Sequence, residues 1–278
     1  MISLECLAAL DLLQWLGTTE RAAELAHANQ STISRRHRTA LHTFDLRLVR
    51  GAQGLILRGS TELLALERQV HQHARFLGLQ PLRLQVPFWS RHRALQVLPE
   101  PWCVNPPALG VVCEDPVTLL RERVLDACLV TPTQLPAATD DLLLLDLYRR
   151  PIEFTLFHCD HGPAAGEQGF APERLALQLM PFLPRSCCER SQEWFTALLR
   201  SAAVVEPAAR AADRCLPVAF LTPEMREAQE RPCWVSDAVD AYPYVERLAV
   251  LAEHASEPAV LQLQAQLSRQ MAPLQLAC

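Results

Sequence analysis

The chain of 278 residues carries 26 arginines and lysines against 31 aspartates and glutamates, a formal charge of −5, and half of its residues are hydrophobic. That length suits two domains of ordinary size with sizeable cores. No run of about 18 uncharged apolar residues occurs, which excludes a transmembrane helix. The charge is unevenly spread. Residues 1–78 hold nine arginines against seven acids, and the remaining 200 hold 17 against 24. Lysine is absent, so every cationic contact is a guanidinium. Arg35, Arg36, Arg38, Arg47, Arg50 and Arg58 face a single acid, Asp45, within residues 31–58. A symmetric dimer doubles that positive patch, which suits a nucleic-acid surface; the acidic remainder does not.

In chain order, residues 1–16 are apolar, but Glu5 and Asp11 interrupt them and no basic segment precedes them. They read as a helix over 4–16, closed by Gly17, and not as a signal peptide. The apolar side chains cover more than one face, as in a helix packed on both a domain core and a partner. Residues 18–41 then predict two short helices joined by a tight turn. The second begins at Gln30 and carries Ser31, Thr32, Ser34, Arg35, Arg36 and Arg38. Hydroxyls, an amide and guanidiniums on one short helix suit the DNA major groove, where polar groups meet base edges and arginines meet phosphates. A solvated amphipathic helix is the bland alternative. Gln30, Ser31, Thr32 and Arg35 fall on the first turns, where bases are reached; Ser34, Arg36 and Arg38 suit phosphates. Apolar runs at 46–49 and 55–57 flank GAQG, a pattern for a β-hairpin wing. Its tip, from Arg50 through Gln53 to Arg58, is placed for an adjacent minor groove or backbone. Three helices and a hairpin make a winged helix-turn-helix.

Over 60–79, Leu63, Leu66, Val70, Ala74 and Leu77 recur at spacings of three and four, the stripe of a helix that pairs with another helix. Its position after the wing and before Gly78 makes it a linker helix that also dimerises. An amphipathic helix lying on its own domain is the alternative.

Residues 3–78 resemble the N-terminus of LysR-type transcriptional regulators. The shared features are the order of helix, GTTERAAELAHANQSTISR, wing and linker helix, the pair Ala22-Ala23, Gln30 opening the recognition helix, and Ser34 four residues on. His37 and Ala40 stand where that pattern usually has larger aliphatic residues. Asp45 takes the place of a usual glycine, and Val49 that of a common phenylalanine. The resemblance implies a sequence-specific DNA-binding transcriptional regulator of the cytoplasm. Its partners would be double-stranded operator DNA, itself as a dimer or tetramer through the linker helix and regulatory domain, a small-molecule effector and RNA polymerase.

Beyond residue 80, strands are predicted at 82–87, 108–114 and 125–132, with a helix from Asp115-Pro116 between the last two. This βαβ order implies parallel strands. Residues 142–157 read as a long strand or a crossing pair broken near Pro151. A second, Pro-rich lobe follows with an apolar stretch at 174–184, a helix at 188–202 and a further apolar stretch at 216–224. A strand at 245–252 and a helix at 257–271 return. The predicted organisation is a winged helix-turn-helix over 1–59, a linker helix over 60–79, and a two-lobed α/β domain over 80–278. Lobe I spans about 80–157 plus the C-terminal helix, and lobe II about 170–245. Such a pair of lobes looks like the periplasmic-binding-protein type II domain of LysR-type regulators. That likeness places an effector at Trp89, Ser90, Asp115, Thr131, Thr133 and Arg185, with Asp115 serving equally well as the cap of the helix beginning at Pro116.

The ten cysteines contain no CxxC and no zinc spacing, so they read as reduced, mostly buried thiols. His158, Cys159, Asp160 and His161 offer a weak metal alternative. Walker, dinucleotide-glycine, GxSxG and HExxH patterns are absent. The best polar cluster, Asp146, Glu153, His158, Asp160 and His161, is explained as a solvated strand end. No catalytic residue, metal or cofactor is expected. The reading kept beside DNA-binding regulation is a ligand-binding or protein-interaction module that has lost DNA binding.

Overall fold

The computed structural model describes residues 2–51, 54–87, 98–105, 115–131, 134–157, 178–179, 217–221, 233–235 and 239–275. Packing divides the chain into two compact units, Met1–Leu147 with Glu246–Cys278, and Tyr148–Val245.

Helix α1 (Leu4–Leu16) starts where the Ser3 hydroxyl accepts the Cys6 N–H. It ends at Gly17, whose φ of 75° is the left-handed cap a glycine adopts without strain. Helix α2 (Thr19–Leu25) is capped by the Thr18 hydroxyl, and α3 (Gln30–Thr43) follows a turn in which His27 takes a φ of 48°. Strands β1 (Arg47–Gly51) and β2 (Gly54–Arg58) pair antiparallel with Gly51 opposite Gly54, which is the expected wing. Asp45 supplies the left-handed residue before it, at φ 50°, a conformation Asp tolerates better than most residues. Gly59 closes the wing at φ 124°; a Cβ there would stand 2.8 Å from Leu46 Cδ2 and 3.0 Å from the Asp45 carbonyl oxygen.

Two cores meet on α1. Leu7 and Leu10 pack with Ile2, Ala40, Leu46 and Leu64. Ala9, Leu12, Trp15 and Leu16 join Ala22, Ala23 and Ile33 in a core continuous with Leu120, Val124, Leu125, Cys128 and Val130. Burial on both sides explains why α1 is apolar nearly all round. Each leucine so buried contributes about 1.5–3 kcal/mol.

Helix α4 (Glu62–Phe76) leads to strand β3 (Leu82–Gln85), which runs parallel to β4 (Trp102–Val104) and to β5 (Ala127–Val130). Helix α5 (Pro116–Arg121) precedes β5. Strand β6 (Leu142–Phe157) leaves the first unit. It is one strand through Pro151, not a crossing pair. Its ladders with β8 and β9 begin beyond that residue, so the missing N–H removes no bond from them. In the second unit β7 (Gln178–Leu179) lies parallel to β8 (Pro217–Leu221), and β8 and β9 (Cys233–Val235) each pair antiparallel with β6. Strand β10 (Val239–Leu251) returns to pair antiparallel with β5, and α6 (Pro258–Gln275) ends the described chain. The Trp102 indole donates to the Ala259 carbonyl oxygen at 3.2 Å, which ties the start of α6 to β4.

The strand expected at 108–114 and the helix expected at 188–202 lie outside the described residues. Strands β4 and β9 are not expected from the sequence; each is only three residues long and sits among prolines or beside one. Wing, helices and parallel sheet share one unit, so packing runs on across residues 59 and 79.

Candidate nucleic-acid interface

Helix α3 has a narrow inward face. Only Ile33 and Ala40 are fully buried, Ile33 in the core shared with α2 and Ala40 against α1 and Leu46. Ala40 is small because Leu7, Leu10 and Leu46 already fill that space. The His37 ring stays half-buried and bonds the Ile33 carbonyl oxygen through Nδ1 at 3.0 Å. Burial holds its pKa below the ordinary histidine value, against that hydrogen bond, which favours the charged form.

The outward face forms one continuous open surface lined by Gln30, Ser31, Ser34, Arg35, Arg38, Thr39 and His42. These positions recur at spacings of three and four, the stripe one side of a helix presents. Gln30 Nε2 donates to Thr19 Oγ1 at 2.8 Å, which fixes the amide at the entry to the helix. Among the described residues, Arg35 and Arg38 make no ion pair. Their charge is open to solvent beside three hydroxyls, an amide and an imidazole.

Five of the sequence-predicted residues of α3 are thus brought together: Gln30, Ser31, Ser34, Arg35 and Arg38. Thr32 and Arg36 are half-buried and lie off this surface. Arg36 is turned toward α1, where it helps hold the Glu5 carboxyl below its usual pKa, behind Glu5's backbone hydrogen bond and the Ser3 hydroxyl. Thr39 and His42 carry the surface beyond residues 30–38, toward the end of the helix. The 3.6-residue period run on from Arg35 and Arg38 is the signal that finds them.

On the wing, Arg50 and Arg58 are exposed, while Gln53 lies outside the described residues. Arg58 stands directly opposite Arg47 in the ladder, and both are exposed. Like charges facing each other across a hairpin are destabilising, so this pair is a cost to the wing on its own. Arg47 belongs with the wing arginines for that reason.

Of the residues placed at an effector site, Trp89, Ser90, Thr133 and Arg185 lie outside the described residues. Both Asp115 oxygens are engaged as the α5 cap, accepting from Thr118 N–H at 2.9 Å and from its hydroxyl at 2.6 Å. Thr131 is buried and donates its N–H and hydroxyl to Gln134 Oε1. The residues His158, Cys159, Asp160 and His161 and the Glu153 side chain are likewise outside the described residues, and Asp146 pairs with Arg247 at 2.6 Å. Among the described residues no three His, Cys, Asp or Glu are grouped to hold a metal, and no helix is long and apolar enough to cross a membrane. Of the three cysteines described as free thiols, Cys128 is buried while Cys6 and Cys103 are half-buried, and burial pushes the Cys103 thiol up to about 11.

The architecture is a winged helix-turn-helix followed by α/β units. No protein-family model matches the sequence, and no curated protein does. Among solved structures, the chain is similar to CbnR, a LysR family transcriptional regulator, at a TM-score of 0.50 and 12% identity over 97% of this chain and 99% of that one. It is also similar to CbnR complexed with its target DNA (TM-score 0.49, 13% identity, 97% and 99%). A third similar structure is a variant of full-length OxyR from Pseudomonas aeruginosa (TM-score 0.47, 16% identity, 96% and 98%). The likeness in fold to CbnR extends well beyond residues 3–78, over 97% of the chain.

Proposed function

We propose that the protein is a LysR-type transcriptional regulator, not an enzyme, that reads double-stranded operator DNA in the cytoplasm. The observation that carries this reading is the α3 surface, where Arg35 and Arg38 stand beside Gln30, Ser31 and Ser34 with their charge open to solvent. A surface that leaves guanidiniums unpaired and surrounds them with short polar side chains suits phosphates and base edges. Arg35 and Gln30 are assigned to bases, Arg38 and Ser34 to phosphates, and Arg47, Arg50 and Arg58 to the backbone beside the wing.

A second copy completes the reading head. Leu63, Leu66, Val70 and Leu77 are between 62% and 70% exposed along one side of α4. That stripe has the 3–4 spacing of a helix-pairing seam, and a partner α4 would cover it and set two α3 helices on one duplex. A small-molecule effector held by the C-terminal α/β units is assigned to bias that arrangement, and RNA polymerase to be the contact that reads it.

Mobility-shift and footprinting assays on the DNA flanking the protein's own gene test the reading. Sequence-preferring binding that weakens steeply with salt is expected. Folded protein that binds no such site at moderate salt sinks it, and leaves the interaction-module reading. Thermal-shift screening of metabolites against the full chain tests the effector, because a ligand of the folded state raises the melting temperature.

A further inference from the structure

Helix α1 carries one charge on the side it turns away from α3, and that charge is wholly buried. Asp11 accepts from Arg68 Nε of α4 at 2.9 Å and from Arg83 Nη1 of β3 at 3.1 Å. Arg68 reaches on to Gln14 Oε1 (2.7 Å) and Glu122 (3.2 Å), and Gln14 itself donates to Glu122 at 2.7 Å. Arg83 also donates through Nη1 to the Val124 carbonyl oxygen, and its N–H meets Asp126 at 2.8 Å. Asp126 is gripped by Arg75 at 2.8 and 2.9 Å. Three segments far apart in sequence, α1, α4 and the β3–β5 sheet, thus share one buried network.

A helix-turn-helix needs no buried carboxylate on the outer side of its first helix. A head connected to the sheet only through α4 would leave Asp11 in water. Here it sits beside an apolar interface, formed by Leu12, Trp15 and Leu16 against Leu120, Val124 and Leu125. Removing Asp11 takes the carboxylate they share from Arg68 and Arg83 at once. That leaves Arg68 with Gln14 and Glu122 and Arg83 with the Val124 carbonyl oxygen, so the two arginines are coupled through Asp11.

We infer that Asp11, Arg68 and Arg83 form an ionic latch that makes the winged helix-turn-helix and the β3–β5 sheet one body. A change in the sheet then reaches α3 through α1, and not only along α4. The latch depends on the fold alone; its consequence for DNA rests on the function proposed above.

Hydrogen exchange on the full chain, without DNA, tests it. In the unaltered protein, amides of α1–α3 and of β3 and β5 are expected to open together, at matching protection. Asp11→Asn keeps the side-chain shape and is expected to speed exchange in α1–α3 by about ten-fold relative to the sheet. If α1–α3 already exchange far faster than the sheet in the unaltered protein, or if Asp11→Asn leaves their ratio unchanged, the latch is overturned. Should Asp11→Asn fail to fold, Gln14→Met removes one link without stranding a charge. It is expected to shift the same ratio in the same direction by about three-fold. An unchanged ratio overturns the proposal there too. Because no DNA is present, failure of the latch and failure of the DNA reading are separate results.

Discussion

Helices α3 and α4 are nearly equal in length, 14 and 15 residues, yet they turn opposite chemistry to the solvent. Helix α3 buries Ile33 and Ala40 and leaves arginines, hydroxyls and an amide outside. Helix α4 buries Arg68, His71, Gln72 and Arg75 beside the single leucine Leu64, and leaves Leu63, Leu66, Val70 and its cap residue Leu77 outside. Residue type alone therefore does not decide which side faces in; the available partner does. Arg68 and Arg75 go inside because Asp11 and Asp126 wait there, and Arg68 also reaches the partly exposed Glu122. Leu63 and Leu66 of α4 stay outside because nothing among the described residues covers them, whereas Leu64 is buried against Leu7, Leu10, Ala40 and Leu46. On the function proposed above, the exposed polar face takes a polyanion and the exposed apolar face a second helix.

The largest effect expected from breaking this arrangement is at the inner face of α4. Asp126→Ala leaves the Arg75 guanidinium buried without its carboxylate and removes the acceptor for the Arg83 N–H. Breaking one partner of a buried pair typically costs about 3–5 kcal/mol, so the unfolding free energy read from denaturant melts should fall by that much. A near-neutral result would mean that α4 is held by its few apolar contacts instead.

The outer face of α4 comes next. Leu66 and Val70 are 62% exposed, so the pair Leu66→Glu and Val70→Glu should hardly change the stability of one chain. If a partner α4 buries them, each lost apolar contact removes about 1.5–3 kcal/mol from association, and sedimentation should show a shift from dimer to monomer. An unchanged mass would leave the stripe without its proposed partner.

On α3 the expected effect is smaller and confined to DNA. Arg35→Ala should weaken binding by about 1–3 kcal/mol and relax preference at one base pair, while Arg38→Ala weakens all sequences alike and lowers the salt slope. Titration of labelled duplexes at two salt concentrations separates the two. If both substitutions act alike, the division of this face into base and phosphate contacts is wrong.

The outer chemistry of both helices is legible in the sequence, because period and composition report a face directly. So are the Gly17 cap, the Asp115 cap and the wing, each written by a residue within a few positions. The latch is not legible. Asp11 reads only as an interruption of an apolar run, since its partners Arg68 and Arg83 are 57 and 72 residues away. For the same reason nothing within α4 itself reports that its polar side is buried. Strand β4 escapes because three residues among prolines carry no alternation, and its neighbour β3 supplies the register. Of the α3 residues, Arg36 and Thr32 are placed outward by the sequence because helix rotation is fixed by Ile33 and Ala40, whose burial only packing reveals.

Acidification probes the two helices with the smallest change. His71 is buried on α4, with Nε2 3.7 Å from Glu67 Oε1 and with Asp11, Arg75 and Arg83 facing it. Burial holds its pKa below 6.5; Glu67 and Asp11 oppose that shift, and the two arginines reinforce it. On α3, His37 shifts the same way through burial, the Ile33 carbonyl oxygen opposing and Arg38 adding. A histidine whose folded pKa is depressed takes its proton more readily in the unfolded chain. The unfolded state then binds more protons, so stability is complete above about pH 6.5 and is lost as pH falls toward the folded pKa. Urea midpoints measured between about pH 7.5 and 5.5 should therefore decline, and His71→Gln should flatten the decline. His71 sits beside the latch, whereas His37 bonds its own helix. Hydrogen exchange at low pH should accordingly loosen the α1–α4 contact before α3 unwinds. A midpoint that rises on acidification, or an α3 that opens first, would contradict the inward placement of the α4 histidine.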